Sequence, residues 1–135
     1  MSVSTTLEDN NSGFFKIVLT GAASAANAGL GAVLNPEGVD LVILRTILYA
    51  RTGSTGAANL DVGVTTAAAK GTDILSSFDG VEATIGGKAF TCQAVPANET
   101  EEAVIWEDDE YITFTGSATT VGLDADLYIE YIRAA

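Results

Sequence analysis

Apolar and polar residues alternate along this chain in short runs, and turn-forming residues separate the runs. Residues 14–20 (FFKIVLT) combine aromatic and β-branched side chains and predict a first strand. Residues 21–31 are rich in alanine and glycine. Alanine favours helix, but Gly21, Asn27, Gly29 and Gly31 interrupt it, which predicts a loop with at most one helical turn. Asn35-Pro36-Glu37-Gly38 predicts a turn, because proline presets φ at the second position and glycine accepts the unusual backbone at the fourth. The strongest strand signal covers residues 39–51. Strict alternation puts Val39, Leu41, Ile43, Ile47 and Tyr49 on one face, and Val42, Leu44, Leu48 and Ala50 on the other. Both faces are apolar, so the strand is either central in a layered sheet or meets another subunit on its outer face. A helix competes for so long a run, but the β-branched content and the flanking turns favour strand.

Residues 52–56 predict a hairpin-like loop, and 59–65 alternate cleanly as a returning strand. Residues 66–71 are small and polar, and 73–80 have room for a short helical turn. Weaker strands come next at 81–85 and 88–93, joined by Gly86-Gly87. An acidic loop at 96–102 leads to a strand at 103–106 and an acidic turn, Glu107-Asp108-Asp109-Glu110. Strands at 111–115 and 126–133 complete the set. About eight short strands, spaced roughly 10–15 residues apart, predict an all-β fold: a β-sandwich or jelly roll with little helix. The division expected is a flexible N-terminal tail or arm at 1–13 and a single β-sandwich domain at 14–135.

Composition narrows the function. The 135 residues suit one domain able to bury a real core. Charged residues make up only 18% and mean hydropathy is +0.29, which argues against disorder and for apolar surface reserved for partners. Six basic against 18 acidic residues give a net charge of −12. That charge repels phosphates and anionic lipid, so neither nucleic acid nor a membrane is an expected partner, and a cationic protein surface is. Residues 1–6 carry no basic segment and no apolar core, so no signal peptide is expected. The longest apolar stretch, 41–50, is interrupted by Arg45 and Thr46 and falls short of the roughly 20 residues that span a bilayer.

Candidate chemistry is sparse. The chain has no histidine, which removes the usual base for nucleophilic catalysis. A single cysteine, Cys92, supplies neither a disulfide within the chain nor a common zinc site, and its place in a strand predicts a buried small hydrophobe. Gly86-Gly87-Lys88 lies between strands and predicts a turn rather than a phosphate loop. The carboxylates of 107–110 crowd a turn where water solvates them. A calcium site at Asp108, Asp109, Asp124 and Asp126 stays open as the lesser reading, and paired-carboxylate catalysis as the least. Asn98-Glu99-Thr100 matches a glycosylation sequon that carries little weight without a secretion signal. Trp106 reads first as a core anchor and second as a ligand platform. Arg45 lies mid-strand among apolar neighbours, either snorkelling at an exposed edge or pairing with Glu130 at a subunit contact. The interface candidates are therefore Arg45, Ile47, Tyr49 and Glu130. No catalytic residue, cofactor or obligatory metal is expected.

Two blocks carry a resemblance: Gly29-Leu30-Gly31-Ala32-Val33-Leu34-Asn35-Pro36-Glu37-Gly38-Val39-Asp40, and Tyr111-Ile112-Thr113-Phe114-Thr115-Gly116-Ser117-Ala118 with the closing Leu127-Tyr128-Ile129-Glu130-Tyr131-Ile132. Across residues 15–133 the chain resembles the capsid decoration, or cement, proteins encoded by tailed bacteriophages and prophages. The resemblance implies a jelly roll or β-sandwich, a homo-oligomer (commonly a trimer), a major capsid protein shell as partner, and a place on the virion exterior after synthesis in the host cytoplasm. It transfers no functional residue, because the matching positions are turns and strands. Two alternatives stay open: another virion component, such as a head-fibre base or tail protein, and a carbohydrate-binding β-sandwich. Glycan binding wants aromatics on one sheet face, whereas Tyr128 and Tyr131 alternate.

Overall fold

A computed structural model describes residues 11–92 and 103–134. Among the described residues nine strands form two antiparallel sheets: β1 (Ser12–Thr20), β2 (Gly31–Leu34), β3 (Leu41–Thr52), β4 (Asn59–Thr65), β5 (Leu75–Asp79), β6 (Lys88–Cys92), β7 (Ile105–Trp106), β8 (Tyr111–Gly116) and β9 (Asp124–Arg133). The first sheet runs β1-β9-β3-β6, with β7 pairing beside β6 on the same edge of β3; the second runs β2-β8-β4-β5. With the two-residue β7 set aside, each sheet holds four strands and most connections cross between the sheets. That is the connectivity of a jelly roll.

The core lies between the sheets. Leu41, Leu48, Leu127, Ile129 and Trp106 of the first sheet face Leu60, Val62, Ile112 and Phe114 of the second, all but closed to solvent. Each such side chain is worth roughly 1.5–3 kcal/mol of burial. Trp106 is the core anchor that the sequence favoured. Its indole Nε1 donates to the Glu110 carbonyl at 2.9 Å, and Phe15 packs edge-on at 6.4 Å. Cys92 is buried at the end of β6, and burial pushes its thiol pKa up.

Several expectations need correction. β1 starts at Ser12, two residues early, so residues 12–13 belong to the sheet rather than to a tail. β2 was not expected; it starts at the last residue of the glycine-rich block and pairs with β8. Residues 75–79 form strand β5 rather than a helical turn, and residues expected as a strand form the one-turn helix α1 (Glu82–Ile85). The exchange has a local cause. Asp61 accepts the Ser77 N–H at 2.8 Å and holds Ser77 at φ 50°, kinking β5 within its pairing to β4. Asp79 then accepts from the Val81 N–H and the Thr84 hydroxyl, which winds the next residues into a helical turn. Gly87, at φ +71°, ends that turn. The loop after β3 is not a hairpin, because β3 and β4 lie in different sheets. Residues 1–10 and 93–102 lie outside the described residues, and with them most of the proposed tail, the 96–102 loop and the Asn98 sequon.

The largest correction concerns β3. Its pairing with β9 slips between Ile43 and Arg45 and again between Ala50 and Thr52, so Leu44 and Arg51 are bulged. The first bulge moves Thr46, Leu48 and Ala50 onto the core face with Leu41 and Ile43. Ile47 and Tyr49 therefore leave the face assigned to Leu41 and join Val42 and Arg45 outside.

Candidate interaction surface

The outer faces of the two sheets differ. On the second, Asp61, Thr113 and Thr115 point away from the core yet are buried. Chain segments cover them: the Ala28 N–H donates to Thr115 Oγ1 at 2.9 Å, and residues 71–73 lie against Gly63. The outer face of the first sheet has no such cover among the described residues. Phe14 is 55% exposed, Val18 61%, Leu44 54%, Ile105 53% and Tyr49 38%.

Strand register arranges this face in rows. Phe14, Glu130 and Arg45 stand side by side across β1, β9 and β3. The next row is Lys16, Tyr128, Ile47 and Thr91, and the next Val18, Asp126, Tyr49 and Ala89. At the other end Ile132, Val42 and Ile105 form an apolar row. The four interface candidates Arg45, Ile47, Tyr49 and Glu130 thus share one face. Arg45 sits on a central strand, not an edge, and its Nε lies 3.7 Å from Glu130 Oε1 of the same chain. Phe14, Lys16, Val18, Tyr128, Ile132 and Ile105 join them. The signal for these was the same two-sided apolar alternation in β1 and β9 that β3 shows, with Lys16 and Glu130 marking the outer rows. Tyr131 points inward, stacked on Phe15 at 4.7 Å, so Tyr128 and Tyr131 do occupy opposite faces.

Two clusters brace the ends of this sheet. Arg51, projected by its bulge, reaches Asp124 Oδ1 and Asp126 Oδ2, each at 2.6 Å. Its hydrogen bonds hold both carboxyls below the usual carboxylate range, and the two carboxylates in turn raise the guanidinium pKa. At the opposite end the Tyr131 hydroxyl donates to Glu37 at 2.6 Å, and Arg133 Nε donates to the same oxygen at 3.0 Å. The Tyr131 hydroxyl, then Arg133, lower the Glu37 pKa; burial, then Glu37, raises that of Tyr131. Gly13 faces the Tyr131 ring, where a Cβ would collide with it.

The calcium candidates are not brought together. Asp124 and Asp126 hold Arg51 at one end of β3, while Asp108 and Asp109 sit in the turn beside Asp40 at the other, about 35 Å away by strand length. Among the described residues, no three His, Cys, Asp or Glu side chains are placed to hold a metal ion. The 107–110 turn is an acidic cluster in which Glu110 foremost, then burial and Asp40, raise the Glu107 pKa. Asn35, missed in the sequence, ties this turn down: its Nδ2 donates to the Val39, Trp106 and Glu107 carbonyls.

Against known proteins, no family model and no curated protein matches this chain. Among solved structures, the chain is similar to one described as the capsid of Ralstonia phage GP4. The identity is 17%, the TM-score 0.55, and the likeness covers 99% of this chain and 90% of that one. The fold of this chain is therefore shared, nearly end to end, with a chain found in a phage capsid.

Proposed function

We propose that this chain is a structural protein of a tailed-phage virion, a decoration (cement) protein that binds the outer surface of the head shell and stabilises it. The observation that carries the reading is the likeness of the whole fold to a phage capsid structure. The chemistry supports it: the chain has no histidine, many of the described carboxylates hold arginines or backbone N–H groups or crowd a turn, and its free resource is contact surface. A homo-oligomer, a trimer as in the resembling family, touches several shell subunits at once and multiplies a modest site affinity by avidity. The acidic turn 107–110 provides the charge that meets basic shell residues.

The test mixes purified protein with undecorated heads, pellets them, and heats decorated and bare particles. Co-sedimentation with heads and a higher rupture temperature are expected. Protein left in the supernatant, or equal rupture temperatures, overturns the reading. Binding to isolated tails or fibres instead of heads assigns the chain to another virion part.

A further inference from the structure

We infer that the outer face of the β1-β9-β3-β6 sheet is the surface on which copies of this chain associate, turned toward the rotation axis of a homo-oligomer. This goes beyond the shell-binding reading and does not need it. The argument starts from charge. The chain carries a net charge of −12, so two copies repel over most of their surface. This face is the exception. Lys16, Arg45 and Arg51 balance Asp124, Asp126 and Glu130, so half of the six basic residues of the chain stand on a face whose charges cancel among the described residues. Charges farther away than about 8 Å are screened at physiological salt, so the local balance governs contact.

A strongly basic shell would find little to attract it here and much at the acidic turn 107–110. A second copy finds the match it needs, because a self-contact requires one patch to offer both halves of each interaction. Arg45 and Glu130 are such a pair. Within one chain they are loosely engaged at 3.7 Å and well exposed, the arginine side chain 53% and the glutamate 35%. Around a two-fold or three-fold axis, Arg45 of one copy meets Glu130 of the next, with Phe14 and Tyr49 supplying apolar burial beside them. The size is adequate. Four strands at about 4.8 Å spacing and ten residues at about 3.4 Å make a face of roughly 600 Å². Stable interfaces bury about 600–1,000 Å² on each partner.

The experiment is light scattering coupled to gel filtration at micromolar concentration. Wild-type protein is expected as an oligomer. Arg45→Glu alone and Glu130→Arg alone are each expected to run as folded monomers, with the circular dichroism and cooperative melting of the wild type. The double variant Arg45→Glu with Glu130→Arg restores the oligomer, since every copy then offers the same pair with its charges exchanged. Phe14→Glu, at an exposed edge position, provides a variant that does not touch the core; it too is expected to be monomeric. A monomeric wild type, an oligomeric Phe14→Glu, or a double charge exchange that stays monomeric would each overturn the inference. A wild-type monomer whose shell binding is abolished by Phe14→Glu would give this face to the shell instead. Shell binding by the wild type is read separately, so failure here leaves the decoration reading intact.

Discussion

Trp106 shows how one side chain fixes the join between the two sheets. It is fully buried, packs on Phe15, and anchors the acidic turn through its indole N–H. Trp106→Ala is expected to cost about 3–5 kcal/mol, chiefly for the cavity, since the Glu110 carbonyl keeps the Asn35 N–H as a donor, and urea unfolding measures it. Beside it, Glu107 has the opposite sign from the other perturbed carboxylates. Its raised pKa means that its charge costs stability at neutral pH, and the cost is relieved as pH falls through the raised folded value. Glu107→Gln is therefore expected to raise the melting temperature at pH 7 and to have little effect at pH 3. Glu37, Asp124 and Asp126 behave conversely. Their pKa values are lowered, so their contribution is complete above the ordinary carboxylate range near pH 4 and is lost as pH falls through the lower folded values. Equal gains from Glu107→Gln at both pH values would contradict this account.

At the scale of the elements, β3 decides which residues reach the interaction face. Its strand character was legible from β-branched content, as was that of β1, β4, β8 and β9. The bulge at Leu44 was not legible, because with both faces apolar a shift of one residue exchanges hydrophobic for hydrophobic and leaves no mark in the pattern. β2 escaped because it is only four residues long, Gly31 to Leu34, closed off by the Asn35 turn, and its pairing to β8 is a tertiary fact. β5 and α1 were exchanged because carboxylates distant in the chain or two residues away, Asp61 and Asp79, set their backbones. Of the candidate surface, four residues on two strands are named from the sequence, and the register adds their neighbours on β1, β7 and β9. The bulge makes a sharp prediction. Deleting Leu44 removes the extra residue and leaves Ile43 inside, Arg45 outside and Thr46 inside, so the sheet survives as a regular ladder. Deleting Ile47 moves Leu48 and Ala50 to the wrong face and drives the core open. Thermal unfolding should be cooperative for the first deletion and lost for the second; loss in both would refute the assignment of Leu44 as the bulged residue.

For the whole molecule, the distribution of charge matters more than its sum. Among the described residues one sheet face mixes apolar side chains with balanced charges, the second sheet is covered by its own loops, and the carboxylates of 107–110 with Asp40 gather at one end. An object so divided can associate through the neutral face while presenting the acidic end to a basic shell. The two contacts then differ in their response to salt. On the decoration proposal, long-range attraction between the acidic end and a basic shell raises the rate of encounter, and added salt screens it within about 8 Å at physiological strength. Apolar burial and avidity, which hold the complex once formed, are not screened. Raising sodium chloride from about 50 to 500 mM, a range over which the Debye length shrinks about threefold, is therefore expected to slow association with undecorated heads by an order of magnitude. Dissociation should change much less, because rim charges act mainly on the approach. Charge removal at the turn, as Asp108→Asn with Asp109→Asn, should flatten the salt dependence of the association rate and leave the mass of the free oligomer unchanged. Surface plasmon resonance on immobilised heads separates the two rates. A salt effect confined to dissociation would place the shell contact elsewhere than the acidic end.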